Sequence, residues 1–395
     1  MPGDFYDVIV VGAGHSGSYT ALQLCSRGYK VAVLERKEAP GIDVCCTGIV
    51  SRECFDSFGV TPDVILTRAD SAKLFSPSGR CLRLKSAQVQ AYVIDRASFD
   101  RALAARAIAA GADYFFSLPA GDIVIDDEGV QIETPRFGLR AKAVVVATGF
   151  EPALTRKLGL GSIAHFASGA QAEVETEGVD EVEIYLSQEV APGFFGWLVP
   201  TSSGKALAGV LAASHARLCL EKLLKSHFCQ GKVLSPRGMI KTKAVPVGTL
   251  PRSYGDRLLV IGDAAGQVKP TTGGGIYFGH LGSQAAVEAL TGAFNRGNLG
   301  ARELAGYQKA WKAKIGREIS IGYRARRLYQ KLSDAQIERL FDIVASRGIA
   351  AALVDSPGFS FDWHGRVIVE IMKGVLGRFP GRASPSEGVR GRRGR

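Results

Sequence analysis

Four groups of residues in this sequence have types and spacings that can do chemistry. The first is Gly12-Ala13-Gly14-His15-Ser16-Gly17, a G-x-G-x-x-G turn directly after the apolar run Val8-Ile9-Val10-Val11. In such a turn the first glycine permits a tight bend, the second admits a pyrophosphate to the backbone amides, and the third lets helix and strand pack closely. Glu35 lies 35 − 17 = 18 positions beyond Gly17, at the end of the next apolar run, where it can accept a ribose hydroxyl. A lone turn of this kind is weak, but a strand before it, a helix after it and an acid at the next strand end point to a bound dinucleotide. The second group is Gly262-Asp263-Ala264-Ala265-Gly266, followed by Pro270 and the run Gly273-Gly274-Gly275-Ile276. The third is Cys45-Cys46-Thr47-Gly48, and the fourth is Gly193-Phe194-Phe195-Gly196-Trp197-Leu198-Val199-Pro200. On a strand, alternate members of this last run, with Trp197, Phe195 and Leu198 as candidates, would line an apolar wall.

The elements that must position these groups follow from periodicity. Residues 6–11 read as a strand, 19–27 as a helix closed by Gly28, and 31–34 as a second strand, a compact βαβ unit. A further strand over 257–261 runs into Gly262, and an Ala-rich helix follows Ile276. Asp95 is placed to cap a helix over 97–110, with Arg96 at its start. A hairpin turning at Glu128-Gly129 precedes a buried strand over 143–148 that ends in Ala147-Thr148-Gly149. In the last third, Leu304, Tyr307, Trp311, Ile315 and Ile319 recur at helix spacing. Ser333 and Gln336 form a capping box ahead of Ile337, Leu340, Phe341 and Val344, and both stripes read as core.

Composition bounds the class. With 395 residues, 46% hydrophobic and 22% charged, and every apolar run shorter than a membrane span, the chain reads as soluble and globular. Its length calls for two or three modules, interleaved because no linker-like tract divides the interior. The seven cysteines contain no C-x-x-C and no metal-type spacing, which fits a reducing cytoplasm. The first apolar stretch leads straight into glycines, as a strand does and a secretion signal does not. Of the formal +11 charge, residues 381–395 carry 5 − 1 = +4 on five Arg and one Glu, in a composition that forms no core. The plain reading of this basic tail is solubility; the functional one is peripheral contact with an anionic membrane surface. No nucleic-acid partner is expected.

Together, the two glycine sites resemble the FAD-dependent proteins of the hydroxylase/reductase superfamily. The resemblance implies that Gly12, Gly14, Ser16, Gly17, Glu35 and Arg36 hold the nucleotide end of FAD, with Asp263 after Gly262 on a ribityl hydroxyl. It places Arg96 toward the flavin chain, Ala147 and Gly149 at a third flavin-contacting strand end, and Gly274, Gly275 and Ile276 at the flavin. The Cys46 loop, the Trp197 run and the Gly-Gly-Gly-Ile form of the second site are similar, across nearly the whole chain, to the geranylgeranyl reductase family. Two departures are Val199 where that family usually has Phe, and Thr148 where relatives often carry Asp.

The resemblance implies an α/β fold, a Rossmann-like FAD-binding domain of glutathione-reductase type interleaved with an antiparallel-sheet substrate domain, plus C-terminal helices. The expected division is 1–165 and 240–300 for FAD, with 51–90 packing toward the substrate part, and 166–239 for the substrate sheet. A helical region over 301–378 and a basic tail over 379–395 complete it. The implied activity is saturation of C=C bonds in a prenyl lipid by hydride from reduced flavin, with Phe195, Trp197, Val199 and Pro200 on the substrate. Such an alkene needs a hydride at one carbon and a proton at the other, in a water-poor cavity. The helix N-terminus at Gly274-Gly275 would stabilise negative charge on the flavin. Cys46 is the candidate catalytic residue, touching substrate or flavin or passing a proton; Cys45 has no assigned task, and His15 reads as backbone-positioning or solvent-facing. The electron donor is ferredoxin, a deazaflavin or NADPH, none of which the sequence selects. Rival readings are a flavin hydroxylase, a halogenase, an electron-transfer-flavoprotein dehydrogenase and a flavin-free prenyl-lipid escort. The first prefers Gly-x-Gly-x-Asn at the second site, the second carries two tryptophans where this chain has Phe195 and Trp197, and the third needs a cysteine quartet.

Overall fold

In this computed structural model, residues 5–346, 361–365 and 368–369 are described. The strand Phe5–Val11 pairs in parallel with Leu139–Val146 on one side and Val31–Leu34 on the other. Both of its faces are covered, so its apolar residues run without interruption. Val8 and Val10 join the core shared with helices His15–Cys25, Arg96–Ala109 and Ile276–Asn295, whereas Ile9 and Val11 face the opposite layer. Asp113–Phe115 extends the sheet beyond Val31–Leu34, and Leu258–Val260 extends it beyond Leu139–Val146. The hairpin Ile123–Ile125 and Val130–Ile132 turns at Glu128-Gly129, as its sequence predicts, and pairs onto Leu139–Val146. That last strand lies earlier than expected, so Ala147, Thr148 and Gly149 follow it as a loop.

A second sheet of seven strands runs in the order Val233–Pro246, Phe166–Thr176, Lys205–Ala212, Gly196–Ser202, Val182–Tyr185, Ser71–Phe75 and Cys81–Lys85. Its last two strands come from the stretch between the first βαβ unit and helix Arg96–Ala109, so the chain crosses from one sheet to the other more than once. Its first strand, Val233–Pro246, spans the 239/240 border expected from sequence. One face, with Ala170, Ala172 and Val174, packs on helix Ala216–Lys225. The other face, with Gly169 and Gln171, looks toward the nucleotide-binding half across a cavity. A three-stranded sheet of Ile49–Ser51, Ala91–Ile94 and Ile65–Ala69 sits between the two.

Helices Ala301–Trp311 and Arg317–Tyr329 are joined by a π-turn, Lys312–Gly316. Their stripe of Leu304, Tyr307, Trp311, Ile315 and Ile319 is buried in the nucleotide-side core. Ser333 and Gln336 cap helix Asp334–Ser346 reciprocally, with Ser333 N donating to Gln336 Oε1 at 2.9 Å and Gln336 N to Ser333 Oγ at 3.3 Å. The basic tail expected over 379–395 lies outside the described residues.

Candidate functional site

The Gly12–Gly17 turn spans the loop after Phe5–Val11 and the first residues of helix His15–Cys25. Gly12 has φ +107°, and a side chain there would meet the Ala147 carbonyl oxygen at 2.5 Å. A Cβ on Gly17 would lie 1.9 Å from the Gly12 carbonyl oxygen, so helix and strand are in backbone contact. At Gly14 the same position opens onto free space. Glu35 is fixed at its strand end, accepting from Ala13 N at 2.8 Å and Lys37 N at 3.0 Å. Arg36 beside it is exposed.

The second turn, Gly262–Ala265, brings the Asp263 carboxylate beneath Gly275, the N-cap of helix Ile276–Asn295. Asp263 Oδ2 accepts from Lys243 Nζ at 2.8 Å. Burial alone would push the Asp263 carboxyl up, but Lys243 beside it brings it below the usual carboxylate range. The same pairing raises the Lys243 ammonium. Although enclosed on most sides, Lys243 keeps 42% of its side-chain surface open to the cavity.

Arg96 is buried and forks onto Asp100, with Nη2 at 2.8 and 3.0 Å from the two carboxylate oxygens. The guanidinium also reaches the Cys46 thiol and lies 3.4 Å from His15 Nδ1. Burial, reinforced by Arg96, holds the His15 imidazole neutral, down to about 3. His15 is therefore neither solvent-facing nor charged. The Cys46 loop is tied to the substrate sheet through Gln171, whose Oε1 accepts from Thr47 Oγ1 at 2.8 Å and whose Nε2 donates to the Cys46 carbonyl at 3.4 Å.

These groups surround a cavity of about 530 Å³ between the two large sheets. Its wall carries Phe195, Trp197 and Val199, which share one strand face. Leu198, on the alternate face, is buried in the substrate-sheet core, contrary to expectation. Pro200 also departs from the expected set: it lies outside this cavity and its carbonyl accepts from Thr67 Oγ1 at 3.0 Å. Trp197 stands across from Gly209, where a Cβ would sit 2.3 Å from its indole ring, so the partner strand makes room for the ring. Arg96, Asp263, Cys46, Gly274, Gly275 and Ile276 line the same cavity, whereas Glu35 and Arg36 do not.

Sequence reasoning missed Lys243, Gln171, Tyr277 and the Lys269–Asp362 pair, which meet here from distant segments. The one legible signal was Lys243 at strand spacing from Val245, which puts the two on one strand face, but Lys241 shares that spacing and does not line the cavity. The residues present fit FAD. Buried Ser16 Oγ, His15 Nε2 and Arg96 Nε, at the first turn and the cavity edge, have no hydrogen-bond partner among the described residues, and the space beside the Gly14 Cα is open. Anionic phosphates and ribityl hydroxyls satisfy such donors.

The parallel sheet with its glycine turn and the acid at the second turn define a Rossmann-type flavoprotein, and residues 7–56 match the family described as FAD dependent oxidoreductase. The chain is 31% identical over 363 residues to digeranylgeranylglycerophospholipid reductase 2 of Methanothermobacter thermautotrophicus, covering 88% of this chain and 93% of that protein. It belongs to that reductase family, and its cofactor is FAD. The fold superposes on a geranylgeranyl bacteriochlorophyll reductase-like protein from Thermoplasma acidophilum with TM-score 0.83, at 24% identity over 95% of this chain and 97% of that one. A flavin-dependent brominase shares the fold alone, at TM-score 0.68 and 17% identity over 94% of this chain and 99% of that one.

Proposed function

We propose that this protein saturates C=C bonds in the prenyl chains of a geranylgeranyl-type lipid, the substrate class named in its relatives. The observation that carries this reading is the apolar wall of Phe195, Trp197 and Val199 facing the flavin-site residues across one cavity. In the proposed division, the FAD half comprises 1–165 and 240–300, with 51–90 packing toward the substrate part, and the lipid lies against the sheet built largely from 166–239.

Bound FAD supplies two-electron hydride chemistry to a substrate that has no polar handle of its own. The wall excludes water and orients the chain, and Gly209 sets how deep Trp197 reaches. The N-terminus of helix Ile276–Asn295 opens onto this cavity and would favour negative charge on a bound flavin. Lys243 neutralises Asp263 so that the pair enters the cavity edge without net charge. Arg96 and the Cys46 loop stand together at the cavity surface. Electrons enter from an external carrier of the ferredoxin, deazaflavin or NADPH type. No helix among the described residues is long and apolar enough to cross a membrane, and we read the protein as cytoplasmic and peripheral to the lipid surface from which its substrate comes.

The test is to record the flavin spectrum of the purified protein, reduce it with dithionite, and follow geranylgeranyl lipids by mass spectrometry. Two-hydrogen increments are expected. Oxygen or halogen insertion instead, with no increment on any prenyl class, overturns the reading.

A further inference from the structure

Each saturated double bond consumes a proton, and an apolar cavity does not hold one to spare. This inference rests on the alkene-reductase reading above, and it concerns where that proton comes from. Three titratable groups lining the cavity, His364, Lys269 and His15, contact only other groups of the protein interior. His364 Nε2 donates to the Phe361 carbonyl at 2.7 Å, which leaves Nδ1 to accept from Thr271 Oγ1 at 2.9 Å. Lys269 is held by Asp362 at 2.6 Å. His15 lies in the nucleotide turn with Nδ1 against Arg96.

Tyr277 is different. It is the second residue of helix Ile276–Asn295, lines the cavity and is only 7% exposed. Its hydroxyl donates to the carboxylate of Glu53, which stands on the exposed face of helix Arg52–Phe58. One phenol thus joins the cavity wall to a carboxylate in water. We propose that Tyr277 delivers the proton to the substrate alkene and that Glu53 restores it from solvent.

The step balances as follows. One alkene carbon takes a hydride from the reduced flavin with its electron pair. The π electrons bind the phenolic proton at the neighbouring carbon, and the flavin is left oxidised. The phenolate then takes a proton through Glu53, which takes one from bulk water. Burial and the Glu53 carboxylate push the Tyr277 phenol above its ordinary value, so it is fully protonated at neutral pH. The other groups facing it are Asp362, Cys54 and the stacked ring of His280.

The experiment uses flavin-loaded protein, dithionite and a detergent-dispersed digeranylgeranyl glycerophospholipid. Tyr277→Phe is expected to lower turnover about 10²–10³-fold, in the range of lost general-acid catalysis, with flavin content and reoxidation by air unchanged. Glu53→Gln is expected to lower it about tenfold and to enlarge the solvent deuterium isotope effect, because the relay and not the donor is slowed. Without turnover, the phenol signal near the ultraviolet edge, taken as wild type minus Tyr277→Phe, should titrate at lower pH in Glu53→Gln. Wild-type reduction that survives Tyr277→Phe within about twofold, or a phenol titration indifferent to Glu53, overturns the proposal. Wild-type protein whose flavin cycles but which saturates no prenyl lipid overturns the functional reading itself, and this step with it.

Discussion

The nucleotide turn and the cavity wall are both shaped by glycines, but for opposite reasons. At Gly17 the obstacle to a side chain is the Gly12 carbonyl oxygen, 1.9 Å from where a Cβ would stand. At Gly209 the obstacle is the Trp197 ring, at 2.3 Å. Backbone cannot retreat without unpairing a parallel sheet that is buried on both faces. An indole beside an open cavity can turn. The first site is therefore built from main chain and tolerates little change; the second is built from side chains at alternate strand positions and can be retuned.

Gly17→Ala is the sharpest way to break this contrast. It should cost on the order of 3 kcal/mol or more and abolish flavin retention, read from thermal unfolding and the visible spectrum of the purified protein. A stable yellow Gly17→Ala protein would show that the turn can relax after all.

Acid should attack the nucleotide half next. Burial holds His15 down to about 3 and His280, packed among Tyr19 and Phe58, down to about 4. In the unfolded chain both protonate near 6.5, so as pH falls the unfolded state gains protons that the folded state refuses. Stability contributed by these neutral imidazoles is complete above about pH 6.5 and is lost progressively toward pH 4, by a few kcal/mol in all. Flavin release and unfolding midpoint measured across that window check it; a flat profile counts against buried neutral histidines.

On the cavity side, Gly209→Ala should leave flavin content unchanged while shifting the Trp197 indole, with about a tenfold change in kcat/KM for the prenyl lipid. An equal loss of flavin would erase the distinction between the two sites. Val199→Phe, which adds bulk to the same wall, should do least: a shift on the order of threefold in preference toward shorter prenyl chains, measured by competition between two lipids.

Legibility in the sequence follows the same divide. The glycine turn, the Asp95 cap on Arg96–Ala109 and the Ser333–Gln336 box were readable because each depends on residues only a few positions apart, and Glu35 because a single βαβ unit returns it to Ala13. The wall was half readable. Period-two alternation gives Phe195, Trp197 and Val199 one face and Leu198 and Pro200 the other, but the period alone did not say which of the two faces borders the cavity. Of the two readings of His15, backbone-positioning or solvent-facing, the second did not foresee its enclosure by Phe58 and helix Ile276–Asn295, neither of them its neighbour in sequence.

What the sequence determined by itself is the set of local conformations: where the backbone must turn tightly, where helices begin, and which strands are apolar on both sides. These follow from sterics, capping and hydrogen bonding within a short stretch of chain. Which charges meet was decided only by the tertiary structure. Lys243 reaches Asp263, Gln171 holds the Cys46 loop, and Tyr277 touches Glu53 because two sheets are packed across one cavity. No spacing encodes those pairings, since they depend on the register and stacking of strands separated by scores of residues.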